Sequence, residues 1–330
     1  MSRAGRDRRW IGQVLDLYRY VWRTTGRSQI LLSLLAVGIF LLELAPLELQ
    51  RRIVNSAVEQ HTYRLIASLC GLYLIVALTQ GGLKLVLNVY RGAVIESACK
   101  GLRLDPNLMA VAGSEEKPGA EKEGIAISVI ASEADAVGGF VGTSFSEPVL
   151  NGGILLSVFG YMFFMQPLMA IVALSLFIPQ MLFIPALQAA INRRTAERIQ
   201  TMRSLAVDIV DRQHGKPAER EKIYRSRVHD VYRLNMQIYR RKFGMTFLMN
   251  LLYQLGNIGV LAVGGWFLMQ GKTEVGTVVA FISGLARTND PWNDIVDFVR
   301  NLSNAGVKYA LIAQVLEKGR ARQVDLSTPR

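Results

Sequence analysis

Six apolar runs, at residues 30–49, 65–87, 145–165, 168–187, 243–269 and 275–295, constrain this chain more than any other feature. Each is about 20 residues or more, enough to cross ~30 Å of hydrocarbon at ~1.5 Å per residue. Lipid offers no partner to a backbone N–H or C=O, so such runs must satisfy their own hydrogen bonds and are expected to be helices. The connectors alternate in length. Those at 88–144 and 188–242 exceed fifty residues, whereas 50–64, 166–167 and 270–274 are short.

The basic residues follow the same alternation. Of the 38 Lys and Arg, 32 lie in residues 1–29, the two long connectors and residues 296–330. Four lie in the short connectors, and Lys84 and Arg287 fall inside spans. Cytoplasmic flanks carry the excess of positive charge, so a multi-pass cell-membrane protein with both termini in the cytoplasm is expected. The net charge of +12 therefore points to topology, with membrane lipid an expected partner, and not to nucleic acid, which would call for one basic soluble face interleaved with aromatics.

Residues 1–29 are expected to form a cytoplasmic segment retained ahead of a signal-anchor span, since the basic region is long and the apolar run continues to Leu49 without a small-residue cleavage site. Trp10, Val14, Tyr18, Val21 and Trp22 share a helical stripe with Ile11, Leu15 and Leu17, which predicts an amphipathic helix lying in the interface. The six-helix domain is expected over 30–320 and a cytoplasmic tail over 321–330.

Both long connectors read as helical hairpins. Apolar residues recur near helical spacing from 188 to 242, interrupted by His214, Gly215, Lys216 and Pro217. The 88–144 connector is broken by Asp105 and Pro106 and by glycines between 113 and 124. Cys70 and Cys99 lie ~40 Å apart along one helix and cannot bridge. Cys99 is expected to be reachable from the cytoplasm. His61, His214 and His229 have no metal-ligand spacing.

No catalytic constellation is visible. Gly271, Lys272 and Thr273 end like a phosphate-binding loop, but its first glycine would fall at Trp266, and the segment joins two spans instead of a strand and a helix. The chain is expected to bind no cofactor and no metal, and not to be an enzyme by itself.

The order Glu274, Val275, Gly276, Thr277, Val278, Val279, Ala280, Phe281, followed by Pro291, resembles the start of the sixth span of type-1 ATP-binding-cassette (ABC) exporters. Residues 124–135 resemble that family's glycine-led approach to its third span. Ala313, Gln314, Val315, Leu316 and Glu317 resemble the end of its membrane domain. The resemblance implies an all-α fold of six transmembrane helices with long cytoplasmic extensions. It implies a subunit forming half of a translocation pathway, paired with a second identical or different transmembrane subunit and with an ABC ATPase subunit that binds the ATP. The hairpin tips would then dock on the ATPase through Asp105, Pro106 and Asn107 and through Asp211, Arg212, Gln213, His214, Gly215 and Lys216. An ATPase-less scaffold or binding protein and a gradient-driven transporter are the alternative readings.

Candidate pathway residues come from charges at membrane depth, which face a bundle interior or water. Taken as one continuous helix, span six projects Ser283, Arg287, Asp290, Asp294, Asp297 and Asn301 within about 80° of one another. That predicts either an Arg287 pair with Asp290 or Asp294 or an acidic wall suited to a cationic substrate. Glu43 and Glu147 are the other deep candidates. Lys84 is expected to snorkel toward the cytoplasmic end of span two, and Glu48 to be solvated at the outer end of span one. Pro46, Pro179, Pro185 and Pro291 are candidate kinks.

Overall fold

The computed structural model describes residues 3–106, 133–210 and 217–327. The described residues are helical, with no strand. In order the helices are α1 (Arg3–Leu42), α2 (Leu44–Val58), α3 (Tyr63–Arg103), α4 (Ala134–Thr143), α5 (Ser146–Met165), α6 (Pro167–Val210), α7 (Pro217–Met269), α8 (Val275–Ala286) and α9 (Asn289–Ser327). Five stretches are long and apolar enough to cross a membrane: Val14–Val58, Tyr63–Arg103, Ser146–Met165, Pro167–Met202 and Tyr224–Met269. The chain forms two compact units, Met1–Tyr161 with Val275–Arg330, and Met162–Glu274.

In the first unit the core gathers α1, α3, α4 and α9. Leu17, Val21, Leu32 and Ile39 of α1 meet Leu87, Val94 and Ala98 of α3, Val137, Phe140 and Val141 of α4, and Phe298 and Ala305 of α9. Phe140 stacks on Phe298 at 5.8 Å, and its edge contacts Tyr18 at 5.7 Å. Gly138 and Gly142, four residues apart on one face of α4, let its backbone approach α3. A Cβ on Gly138 would lie 2.2 Å from Cys99 Sγ, and one on Gly142 would lie 3.2 Å from the Arg91 carbonyl oxygen. This is the small-residue packing by which membrane helices gain contact without a hydrophobic driving force. It also buries Cys99, 2% exposed, so the expected access of reagents to that thiol is corrected.

The amphipathic amino-terminal stripe is only partly an interior face. Leu17 and Val21 are buried, while Leu15 and Trp22 are exposed. The side chains of Trp10 and Ile11 lie outside the described residues. Helix α1 continues from this segment into the first apolar run through a kink at Thr25 (φ −134°, ψ 21°).

The helical backbone of span one does not end at residue 49. Helix α2 continues to Val58, so the expected 50–64 connector shrinks to a turn at 59–62, with Gln60 at φ 55°. The pairs Glu48–Arg51 and Glu48–Arg52, three and four residues apart, satisfy charges on the helix itself and let it run on.

The expected span at 275–295 is broken just before Pro291, one of the candidate kinks. It is two helices, α8 and α9, separated at Arg287 and Thr288. Pro291 explains the division, because it lacks the N–H that would bond the Arg287 carbonyl and its ring crowds that oxygen. Helix α9 then continues to Ser327, beyond the expected domain end at 320.

The second unit is a helical hairpin. Arg198 of α6 reaches Asn235 of α7 at 3.5 Å, and Arg241 donates to the Ala190 carbonyl at 3.2 Å. The higher number on one helix pairs with the lower on the other, so the two run antiparallel. With 44 and 53 residues they measure about 66 and 80 Å, roughly twice the hydrocarbon thickness. Helix α6 passes through Pro179 and Pro185 without interruption. After α7 the chain turns at Gly271 (φ 67°), where the N–H groups of Gly271 and Lys272 bond the carbonyls of Leu268 and Phe267. That is a helix C-terminus closed by a left-handed residue, with its donors spent on carbonyls.

A charged cluster where two interrupted helices meet

Two helix interruptions of the first unit face each other. The first falls between α1 and α2 at one residue, Glu43, whose own φ −62° and ψ −22° are helical. It is a lost hydrogen bond, not a turn. Pro46 has no N–H for the Leu42 carbonyl, whereas Glu43 N–H still bonds Ile39 at 3.1 Å. The second falls at Arg287 and Thr288. Here the Thr288 hydroxyl donates to the Leu285 carbonyl at 2.8 Å, and Trp292 N–H resumes the ladder on the Thr288 carbonyl at 3.2 Å.

Glu43, 5% exposed, is the centre of the arrangement. Its carboxylate takes an ion pair and hydrogen bond from Arg287 and a hydrogen bond from the buried amide of Gln80. Lys84 lies 3.6 Å away, one helical turn along α3 from Gln80. Arg287 and Lys84 are 25% and 45% exposed in their side chains, so one carboxylate is enclosed by two cations that still reach the surface of the unit. The cluster joins α1/α2, α3 and the α8/α9 interruption, and it carries one net positive charge.

A second polar group lies further along α3. Arg91 pairs with Glu147 of α5 at 3.7 Å and donates to the buried Ser146 hydroxyl at 3.1 Å. Asn151, also buried, sits beside Asp294 of α9. A third group is built on Glu48. It accepts two bonds from Arg51 at 2.9 Å, one from Arg52 at 2.6 Å and one from the Tyr161 hydroxyl at 2.8 Å. Its side chain is 26% exposed, so the expected solvation is partial, with protein donors taking most of the carboxylate.

The pathway candidates thus separate. Glu43 and Arg287 meet, so the expected Arg287 pair with Asp290 or Asp294 gives way to one with Glu43. The phase of a continuous helix does not carry through residues 287 and 288, where α8 ends and α9 has not begun. Asp290, Asp294, Asp297 and Asn301 do share a face of α9, and all four are exposed in the unit. Asp297 pairs with Arg300 at 3.1 Å. Ser283 is half-buried on α8, on the other side of the break. Glu147 belongs to the Arg91 group. Lys84, expected to snorkel, lies 3.6 Å from Glu43 with its side chain still 45% exposed.

Of the docking candidates, Asp105 and Pro106 stand at the end of α3, half-buried and exposed. Asn107 and Asp211 through Lys216 lie outside the described residues, as does most of the 124–135 segment. Among the described residues no group of His, Cys, Asp and Glu is placed to hold a metal ion.

Several partners were missed from the sequence. Gln80, Lys84 and Arg91 fall at i, i+4 and i+11 of α3, one polar line on a helix whose residues 65–95 are mostly apolar. That line is a readable signal, and it points at both polar groups. Asn55, whose side chain accepts the Gly276 N–H at 2.7 Å, left no such trace. No protein-family model matches the chain, and no curated protein matches it in sequence.

Proposed function

We propose that the chain is the transmembrane subunit of an ABC-type transporter, forming half of a translocation pathway and taking its ATP hydrolysis from ATPase subunits on other chains. The observation that carries the reading is the length of α6 and α7. Helices of about 66 and 80 Å extend well past a ~30 Å hydrocarbon layer, so the hairpin they make reaches far into water. A rigid lever of that kind suits the transmission of ATPase closure to the spans. In this reading both termini and the hairpin tips are cytoplasmic, Asp105 to Asn107 and Asp211 to Lys216 face the ATPase, and a second transmembrane subunit completes the pathway. Asp290, Asp294 and Asp297, exposed on α9, are its polar wall, suited to a cationic substrate.

Affinity purification in mild detergent, followed by identification of the co-purifying chains, tests this. An ABC ATPase is the expected companion. Replacing residues 211–218 by a flexible linker should leave insertion intact and uncouple hydrolysis from transport in the reconstituted complex. Unchanged coupling, or the absence of an ATPase, refutes the proposal.

A gradient-driven transporter is the second reading. The meeting of two interrupted helices at Glu43 and Arg287 favours it, since secondary transporters place their sites at discontinuous helices near the bilayer centre. Flux in sealed vesicles under an ion gradient, without nucleotide, would select it.

A further inference from the structure

The amino-terminal kink builds a cavity that the transport reading does not use. At Thr25 helix α1 bends, and an open cavity of about 430 Å³ lies against residues 22–30. Trp22, Arg23, Thr24, Arg27, Ser28 and Ile30 line it. Most of its polar groups are already committed. The hydroxyls of Thr24 and Thr25 donate to the carbonyls of Tyr20 and Val21 at 2.9 and 3.0 Å, and Ser28 accepts from the Tyr90 hydroxyl at 3.1 Å.

The two guanidiniums are different. Arg23 and Arg27 are exposed, and among the described residues neither has an ion pair, whereas Arg19 one turn earlier is held by Asp16 at 3.4 Å. Two cations lining one cavity on either side of the Thr25 kink, with no carboxylate between them in sequence, form a fork for a phosphate.

What lies below the fork selects the kind of phosphate. Ile30, Leu34, Gly38 and Leu41 continue from Arg27 at helical spacing, and each is exposed on the unit. The exposed Trp22 indole stands at the cavity, an amphipathic ring of the type that anchors at headgroup level. The same surface therefore offers cations at the rim of span one and an apolar stripe about 16 Å long beneath them.

We propose that this surface is a binding site for an anionic phospholipid, its phosphate held by Arg23 and Arg27 and an acyl chain lying on Ile30, Leu34 and Leu41. A soluble phosphate would use the fork but not the stripe. A zwitterionic lipid would use the stripe but would bring its own cation to the fork. The site fixes the bend at Thr25 to the level of the headgroups.

The test uses the full-length protein in mild detergent and phosphatidylglycerol or phosphatidylcholine with identical acyl chains, with bound lipid counted by native mass spectrometry. Phosphatidylglycerol should be retained in preference. Each basic residue near a lipid surface contributes about 1 kcal/mol, so R23Q/R27Q should weaken its binding about thirty-fold, while R23K/R27K keeps most of it. Arg64→Gln, in the first turn of α3, should change nothing. Millimolar inorganic phosphate should not displace the lipid. A photoactivatable phosphatidylglycerol should crosslink the unmutated protein within residues 22–41, a readout that needs no variant to fold. Equal retention of both lipids, insensitivity to R23Q/R27Q, crosslinks confined to other segments, or displacement by phosphate would each overturn the proposal, the last by showing a soluble-anion site.

Discussion

Neutralising Glu43 is the sharpest perturbation the charged cluster offers. Glu43→Gln keeps the shape and the contact with Gln80 but leaves Arg287 and Lys84 as neighbouring cations with no counter-charge. Removing one partner of a fully buried ion pair costs about 3–5 kcal/mol, most of it the penalty of the abandoned charge. Here the abandoned charges are not fully buried. The Arg287 side chain is 25% exposed and that of Lys84 45%, so water relieves part of the penalty, and about 2–3 kcal/mol is expected. Arg287→Gln should cost less, about 1–2 kcal/mol, because Lys84 and Gln80 still serve the carboxylate. Lys84→Gln should cost under about 1 kcal/mol.

The measurement is a double-mutant cycle read by denaturant unfolding of the purified protein in mixed micelles. E43Q/R287Q should be more stable than E43Q alone, with a coupling above about 1 kcal/mol. Costs that simply add, within about 0.5 kcal/mol, would show that the two side chains do not depend on one another and would refute the cluster as the link between the interruptions.

Four further outcomes follow from the same geometry. Asp290→Asn should shift stability by no more than about 0.5 kcal/mol in the same unfolding assay, since the side chain is exposed, and Arg287→Gln should give it no rescue. Gly276→Ala should destabilise by about 1–3 kcal/mol, because its Cβ would meet the Arg51 carbonyl oxygen at 2.2 Å where α8 crosses α2; an unfolding midpoint equal to that of the parent would contradict the packing. In a chain with Cys70 and Cys99 replaced, Ser226→Cys should label with an impermeant reagent only in inverted membranes and His61→Cys only in intact cells; the reverse pattern would invert the topology. Calorimetric titration of the isolated chain with ATP should give no saturable heat, and a site lost in Lys272→Gln would contradict the reading of the Gly271 turn.

Spans two to five were legible because a run of twenty apolar residues is a composition, and composition survives any detail of packing. The hairpin of α6 and α7 was legible for a related reason, since its helical pattern continues without pause out of the spans. The turn at Gly271 was legible from the glycine itself. Pro46 and Pro291 were legible as candidate kinks, but Pro179 and Pro185, candidates on the same ground, lie inside the uninterrupted α6. A hydropathy window cannot tell these cases apart, nor see that α2 continues past the apolar run on its Glu48 pairs. The error at Arg287 is instructive. A face computed at ~100° per residue is valid only while the ladder is unbroken, and here it fails at Thr288. Residues 290, 294, 297 and 301, all beyond the break, were grouped correctly, and 287 was not.

The placement of charge beside each break has a common cause. A proline three or four residues after the charged side chain frees one carbonyl of the preceding turn. Irregular backbone is tolerated at membrane depth only where protein or water receives it. Both interruptions satisfy that condition by facing the interior of the unit, with Glu43 and Thr288 almost wholly enclosed. A site prepared to receive an unpaired carbonyl is already polar, so the cost of adding a charge there is lower than elsewhere on the span. Glu43 and Arg287 then offset each other, and the Gln80 and Lys84 side chains complete the shell from the unbroken helix α3. Motion about either interruption must carry one partner of this pair with it. Separating Glu43 from Arg287 in the bundle costs more than separating Asp297 from Arg300 in water, so the cluster holds α1/α2 and α8/α9 together until something supplies a replacement charge.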